Sequence, residues 1–173
     1  AAAPRVQAQA MASSARQSAG VLLVGVDPSA EAGLTLVPQA MIQGRWLRPD
    51  DDGGIVLGRR LAGQLGIESG GKLLQGQFVT ESAEFDDSAA FVTLPAAQSL
   101  LGLGDRVSTI NLRLKDREQL DEAMTEMRAG VGDLEIVQWP ALLPARQRVV
   151  GVERASRGVL DGGAQRHAAP RSR

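Results

Sequence analysis

The sequence predicts an α/β fold of the α+β kind, a mixed sheet and its helices packed as a sandwich. Three observations predict it. Val107 to Leu114 alternates apolar and polar residues, the period of a half-buried strand. Gly20 to Val26 is a continuous apolar run, the pattern of a strand covered on both faces. Leu120, Ala123, Met124 and Met127 recur at helical spacing and mark an amphipathic helix. After residue 88 the elements run strand, helix, strand, helix, strand. With the early strands this gives layers of sheet and helix.

In chain order, residues 4–12 place Val6, Ala8, Ala10 and Ala12 on one face and Arg5, Gln7 and Gln9 on the other, a strand. Ser13 to Ser18 is a polar turn into the apolar strand. Asp27 caps a short helix whose first position is Pro28. Residues 38–43 read as a short helical segment that Gly44 ends, and Pro49 to Gly54 as an acidic turn. Lys72 to Thr80 reads as one or two short strands around Gly76, and Ala89 to Thr93 as a strand. Thr93 caps a helix with Pro95 in its first turn and Gly102 at its close. Asp116 and Gln119 sit at the two positions of a capping box before the amphipathic helix, which Gly130 terminates. Leu134 to Val137 reads as the final strand. Trp139-Pro140 opens a last helix, and the polar end is low in apolar residues.

Gly53 to Gly71 reads as a strand (Ile55 to Leu57), a turn at Gly58 and a helix with Leu61, Ala62 and Leu65 on one face. Gly66 stands where a left-handed residue ends such a helix. A phosphate loop needs backbone N–H groups converging at a helix start and a Lys with Ser or Thr on the phosphates. No Gly-Lys-Ser/Thr follows here, so the segment reads as a structural strand-turn-helix.

Composition narrows the functional classes. Of the 173 residues 43% are apolar, enough for a core, but 3% are aromatic and none is Tyr. That scarcity argues against a base-stacking platform, and a net charge of −1 supplies no basic field for nucleic acid. The absence of Cys excludes disulfides and thiolate metal sites. No apolar run reaches the length of about 18 residues that marks a membrane-spanning helix. The N-terminus lacks the basic-then-apolar order of a secretory signal, so targeting elements are expected elsewhere.

The polar clusters read as structural. Asp50, Asp51 and Asp52 are adjacent, whereas a hard-cation site takes about six to eight oxygens from spaced ligands, so a solvated turn is expected. Glu84, Asp86 and Asp87 have no candidate catalytic partner and read as a loop, with Asp86 positioned to orient it. His167 is the single histidine and lies in the polar end, without the partners of a hydrolytic triad or a zinc site. Arg166, Arg171 and Arg173 read as a solvated end. Trp46, Trp139, Met124 and Met127 read as core. No catalytic, cofactor-binding or metal-binding residue is expected, and no partner-binding residue stands out.

Five separated segments carry a family resemblance: VLLVGVDP (Val21–Pro28), GRWL (Gly44–Leu47), GIVLGRRLAGQLGI (Gly54–Ile67), AEFDDSAAFVTLPAAQSLLG (Ala83–Gly102) and VQWPALLP (Val137–Pro144). In this order they resemble the extracytoplasmic domain of FtsX-like ABC-transporter permeases, the family of MacB-type efflux permeases and lipoprotein-releasing LolC/LolE permeases. The resemblance covers about residues 3 to 155. It implies a porter-like α/β subdomain over 1–47 and 89–145 and a small β-rich, sabre-like insert over 48–88; the residues themselves add a terminal helix over 146–160 and a disordered tail over 161–173.

The same resemblance implies a non-catalytic periplasmic domain at the bacterial inner membrane. Such a domain is flanked by transmembrane helices, served by a cytoplasmic ATPase subunit, and engages a lipoprotein or other protein cargo. An FtsX-type regulator of a cell-wall hydrolase is the variant role. A soluble small-molecule-binding α/β domain is the alternative from outside the family. Two departures from the family pattern stand out. The stretch between Gly71 and Glu84 is shorter than the family's hairpin excursion. Val149-Val150-Gly151 begins like the family's transmembrane run before the chain turns polar, as a truncated or frame-shifted end would.

Overall fold

The β1 strand (Ala2–Ser13) turns through Ser14 to Gln17 into β2 (Ser18–Val26), and the hairpin is the spine of the fold. The turn closes on itself: Ser14 N–H donates to Gln17 C=O at 2.7 Å, and the Ser14 hydroxyl accepts from the N–H groups of Arg16 and Gln17. The computed structural model describes residues 1–67, 73–114, 120–130 and 135–137. The chain divides between Arg117 and Glu118.

In the first unit, seven strands form one mixed sheet in the order β3-β5-β4-β6-β2-β1-β7. The remaining strands are β3 (Met41–Gly44), β4 (Ile55–Gly58), β5 (Leu74–Phe78), β6 (Ala89–Thr93) and β7 (Thr109–Leu112). β2 runs parallel to β6 and β4 parallel to β5; the other ladders are antiparallel. Val21, Leu23, Val24 and Val26 of β2 are all buried, as a strand covered on both faces requires. The alternation read in residues 4–12 is realised in β1, where Gln7, Gln9 and Met11 are exposed and Ala8, Ala10 and Ala12 are half-buried.

One face of the sheet is closed by α2 (Arg59–Leu65). Leu61, Ala62 and Leu65 pack with Val21, Leu23, Leu57, Leu74 and Ala90. Gly66 ends α2 in the left-handed conformation (φ +63°), and Ile67 N–H reaches back to Ala62 C=O at 3.0 Å. α4 (Leu94–Leu100) lies so close to β2 that a Cβ on Gly25 would stand 2.3 Å from the Cβ of Ala97. On the other face Val24, Val26, Val37, Leu47, Val56, Phe78, Ala89 and Phe91 form a second cluster. The rings of Phe78, Phe85, Phe91 and Trp46 meet there at centroid distances of 5.4 to 6.0 Å in tilted or edge-on pairs.

The helical expectation over 38–43 is corrected. A 3-10 turn occupies Val37–Gln39, and Met41–Gly44 is the edge strand β3, pairing with β5. Ladder hydrogen bonds outcompete local propensity there, and Gly44 is needed because its φ of +70° brings it against the Gln75 backbone. Glu84 to Asp87, expected as a loop, lies in the helix α3 (Ala83–Ser88), with Ser82 as its N-cap accepting from Phe85 N–H. Residues 48–88 supply β4 and β5 to the same sheet, and β4 joins β6 through Val56↔Phe91 and Leu57↔Ala90.

In the second unit, α5 (Leu120–Gly130) has Leu120, Ala123, Met124 and Met127 on its less exposed side, and Gly130 is its last residue. Glu135 to Val137 is not a strand, against the expectation of one over Leu134–Val137. The cap at Asp116 and Gln119, Trp139, the terminal helix over 146–160, His167 and the tail over 161–173 lie outside the described residues.

Candidate functional site

Where the parallel pair β2 and β6 ends, both chains turn into helices. β2 passes through Asp27 into α1 (Pro28–Glu31), and β6 passes through Thr93 into α4. Between these turns lies an open cleft of about 280 Å³ lined by Asp27, Pro28, Ser29, Pro49, Thr93, Leu94 and Pro95. A crevice beyond the carboxyl ends of parallel strands is the usual ligand position in open α/β sheets. The lining defines what this one can do. Among the described residues it holds three prolines and a leucine, and no His, Lys, Arg or Cys that would pair with the Ser29 or Thr93 hydroxyl as base or nucleophile. Asp27 is committed locally: its Oδ1 accepts from the N–H groups of Ser29 and Ala30 at 2.9 and 3.2 Å, the capping read from the sequence. Thr93 occupies the N-cap of α4 without a side-chain capping bond and is buried.

The charged clusters read from the sequence find partners within the fold. Asp51 takes a two-pronged ion pair from Arg45 (Nη1 to Oδ2 2.6 Å, Nη2 to Oδ1 2.8 Å) and also accepts from Arg48 N–H at 2.8 Å. The Arg45 guanidinium, helped by the Arg48 N–H, holds the Asp51 carboxyl down at about 2 against its ordinary 3.8, while Asp51 raises Arg45 in turn. The aspartates do not converge: Asp50 and Asp52 are exposed, and Asp51 faces Arg45. Asp86 is buried and receives both the N–H (3.0 Å) and the hydroxyl (2.8 Å) of Thr80, which ties α3 to the end of β5. Asp87 faces Arg60 across a loose 3.6 Å, and Glu84 remains exposed. Among the described residues no group of three or more His, Cys, Asp or Glu is placed to share a metal ion.

The Gly58 turn packs closely on α3. β4 enters α2 without an intervening loop, and a Cβ on Gly58 would stand 2.1 Å from the carbonyl oxygen of Asp86. An electronegative backbone atom of α3 fills the space beside the turn.

Sequence reasoning missed the most deeply set polar group. Glu31 is fully buried at the end of α1, and both its carboxylate oxygens engage Arg5 of β1, with Arg5 Nε at 3.1 Å from Oε2 and Nη2 in contact with Oε1. Thr35 Oγ1 donates to Glu31 Oε1 at 2.8 Å, and the Asn111 side-chain oxygen, in the amide orientation the network requires, accepts from Arg5 Nη1 at 2.7 Å. The network links β1, α1 and β7. Trp46 is half-buried, and its indole N–H donates to Pro28 C=O at 3.3 Å, so it anchors the back of the same α1.

No protein-family model and no curated protein matches the sequence. Among solved structures, the fold is similar to the extracellular domain of the noncanonic ABC-type transporter YknZ from Gram-positive bacteria. The identity is 15% and the TM-score 0.56, over 70% of this chain and 68% of that one. It is similar also to the periplasmic region of MacB from Actinobacillus actinomycetemcomitans, at 15% identity and a TM-score of 0.53, over 73% of this chain and 64% of that one. The chain therefore has the mixed α/β fold of these transporter domains, and spans a little under two thirds of the MacB region.

Proposed function

We propose that this chain is the extracytoplasmic domain of an ABC-transporter permease of the FtsX-like kind. It works without catalysis, engaging a protein or lipoprotein partner outside the cytoplasm. It moves when a separate ATPase subunit drives the membrane helices on either side. The observation that supports this most is the shared fold with the extracytoplasmic domains of YknZ and MacB. The chemistry of the cleft agrees with it: Pro28, Pro49, Pro95 and Leu94 offer shape and apolar contact to a polypeptide. The buried Arg5–Glu31 pair and the Phe78–Phe91 cluster give the stiff body that a transmitted movement needs.

We also propose residues 48–88 as an insert in the topological sense. They leave the chain between β2 and β6, which are neighbours in the sheet, and their strands add outboard of β6. They join the rest of the sheet at two seams, the β4–β6 ladder of two residue pairs on one side and the antiparallel β3–β5 ladder on the other, where β3 is the outermost strand.

The genomic sequence on either side provides the test. The reading expects apolar spans of about 20 residues encoded before and after this chain, and an ATPase gene beside it. A secretory leader in front and a stop codon directly behind would contradict it. A second check is thermal unfolding with millimolar Mg-ATP: the domain is expected to show no shift, and a saturable stabilisation would place nucleotide on this chain and overturn the division of labour.

A further inference from the structure

The β1–β2 hairpin outruns the sheet. β1 pairs with β2 from Arg5↔Val26 to Ser13↔Ser18, but β7 accompanies β1 only over Ala2 to Arg5. On the far side, β6 accompanies β2 only over Leu22 to Val26. The outer half of the hairpin is a two-stranded ribbon, and among the described residues no strand covers the β1 edge beyond Gln7.

The hydrogen-bond parity of that edge is fixed. Even-numbered residues face β2, as Ser14 N–H to Gln17 C=O shows at the turn. Odd-numbered residues face outward: Ala1 C=O accepts from Arg113 N–H at 2.8 Å, Arg5 C=O accepts from Ser108 N–H at 2.9 Å, and Gln7 N–H donates to Ser108 Oγ at 2.8 Å. Continuing the alternation, the N–H and C=O groups of Gln9 and Met11 point away from the sheet. Exposed edges normally carry a charge, a proline or a bulge that prevents pairing. Val6 to Ser13, VQAQAMAS, has no charged residue and no proline, and its register with β2 is unbroken. Side chains divide cleanly. Met11, 75% exposed, lies with Gln7 and Gln9 on one face; Ala8, Ala10 and Ala12 lie on the other, where Ala10 and Ala12 meet the aliphatic core.

We infer that the outer edge of β1, from Gln7 to Ser13, is a strand-addition site for an extended, uncharged segment of a partner polypeptide. The segment extends the antiparallel ladder that β7 begins, over about 20 Å. Its alternate apolar side chains fall on the alanine face, whose small residues leave room for them, and the others fall beside Met11. The inference goes beyond the transporter reading and does not depend on it.

The test uses the full chain and a short acetylated, amidated peptide of alternating Thr and Val with a lysine at each end. Two further versions are N-methylated at every second residue, one in each parity. The expected result is binding by fluorescence anisotropy, lost at least tenfold for one N-methylated parity and retained for the other. Met11→Pro removes an outward N–H and leaves the β2 ladder intact, so it is expected to keep the circular dichroism of the parent and lose the peptide at least tenfold. Ala10→Pro, which strikes the inner ladder, reports what a broken hairpin looks like. Equal binding of both N-methylated peptides, or no binding of the parent peptide, overturns the inference. So does slow amide exchange at Gln9 and Met11 in the free monomer, which would mean that the chain's own residues already cover the edge. A dimer that Met11→Pro dissociates would assign the edge to a second copy and overturn it as well.

Discussion

On the face carrying Val21, Leu23, Leu57 and Ala90, Leu61, Ala62 and Leu65 of α2 close the sheet by apolar contact, and Ala97 of α4 packs beside them on Gly25. On the opposite face the closure is mixed. Phe78, Phe91 and Trp46 supply the area, while α1 is held by the buried Arg5–Glu31 pair and the indole bond to Pro28. Non-directional burial fixes how much surface α2 covers and tolerates small shifts. The Arg5–Glu31 fork and the Trp46 N–H fix where α1 sits, and α1 carries one wall of the Asp27–Pro95 cleft. The aliphatic face therefore supplies stability, and the mixed face supplies position at the cleft.

The largest effect is expected from Glu31→Ala. It leaves the Arg5 guanidinium buried without its partner, and urea unfolding should show a loss of about 4 kcal/mol. Replacing both partners, Arg5→Met with Glu31→Leu, should return stability to within about 1 kcal/mol of the parent, since a well-packed apolar pair substitutes for a buried ion pair. The double variant sharpens the comparison: stability recovers, but α1 loses the directional bond that sets its place. Leu61→Ala, fully buried on the aliphatic face, should cost about 3 kcal/mol by the same measurement. No nearby substitution should rescue it short of refilling the volume. If Leu61→Ala proved harmless while Trp46→Phe was severe, the assignment of roles to the two faces would be reversed.

Trp46→Phe removes the indole donor to Pro28 and part of the contact with Phe91, for an expected loss of about 1 kcal/mol. Its informative readout is the cleft, where the Pro28 amide environment should shift in NMR spectra while α2 resonances stay in place. The smallest effect at neutral pH concerns Asp51. Its carboxyl is depressed from 3.8 to about 2 by Arg45, so its contribution is fully present above about pH 4 and is lost as the pH falls toward 2. Asp51→Asn should flatten that part of the acid-unfolding curve. An unchanged acid limb would mean that the Arg45 pair contributes nothing to folding.

Much of the fold was legible because it is written locally. The apolar run of β2, the Asp27-Pro28 start of α1, the α2 face with Gly66 behind it, and the Met124 face of α5 each declare themselves within a few residues. Reading failed where partners are distant. Met41–Gly44 becomes a strand only because β5 lies beside it, and nothing in its own residues outweighs a helical turn. The α3 helix is too short and too acidic to show an apolar period, although Ser82 before Glu84 and Phe85 is a capping signal. Arg5 and Glu31 are separated by most of the hairpin and by α1, so their pairing follows from the sheet order and could not come from spacing. The cleft has the same character: Asp27, Pro49 and Pro95 meet only because β2 and β6 run parallel.

The most direct test of the transporter reading is topological, and the chain's lack of cysteine makes it clean. Leu100, 71% exposed on α4, is changed to Cys in the complete gene product, alongside the unchanged protein as background. Intact cells are then treated with a membrane-impermeant maleimide. The reading predicts labelling of Leu100→Cys in intact cells at the level reached after lysis. Labelling that appears only once the inner membrane is opened would place the domain in the cytoplasm and contradict it.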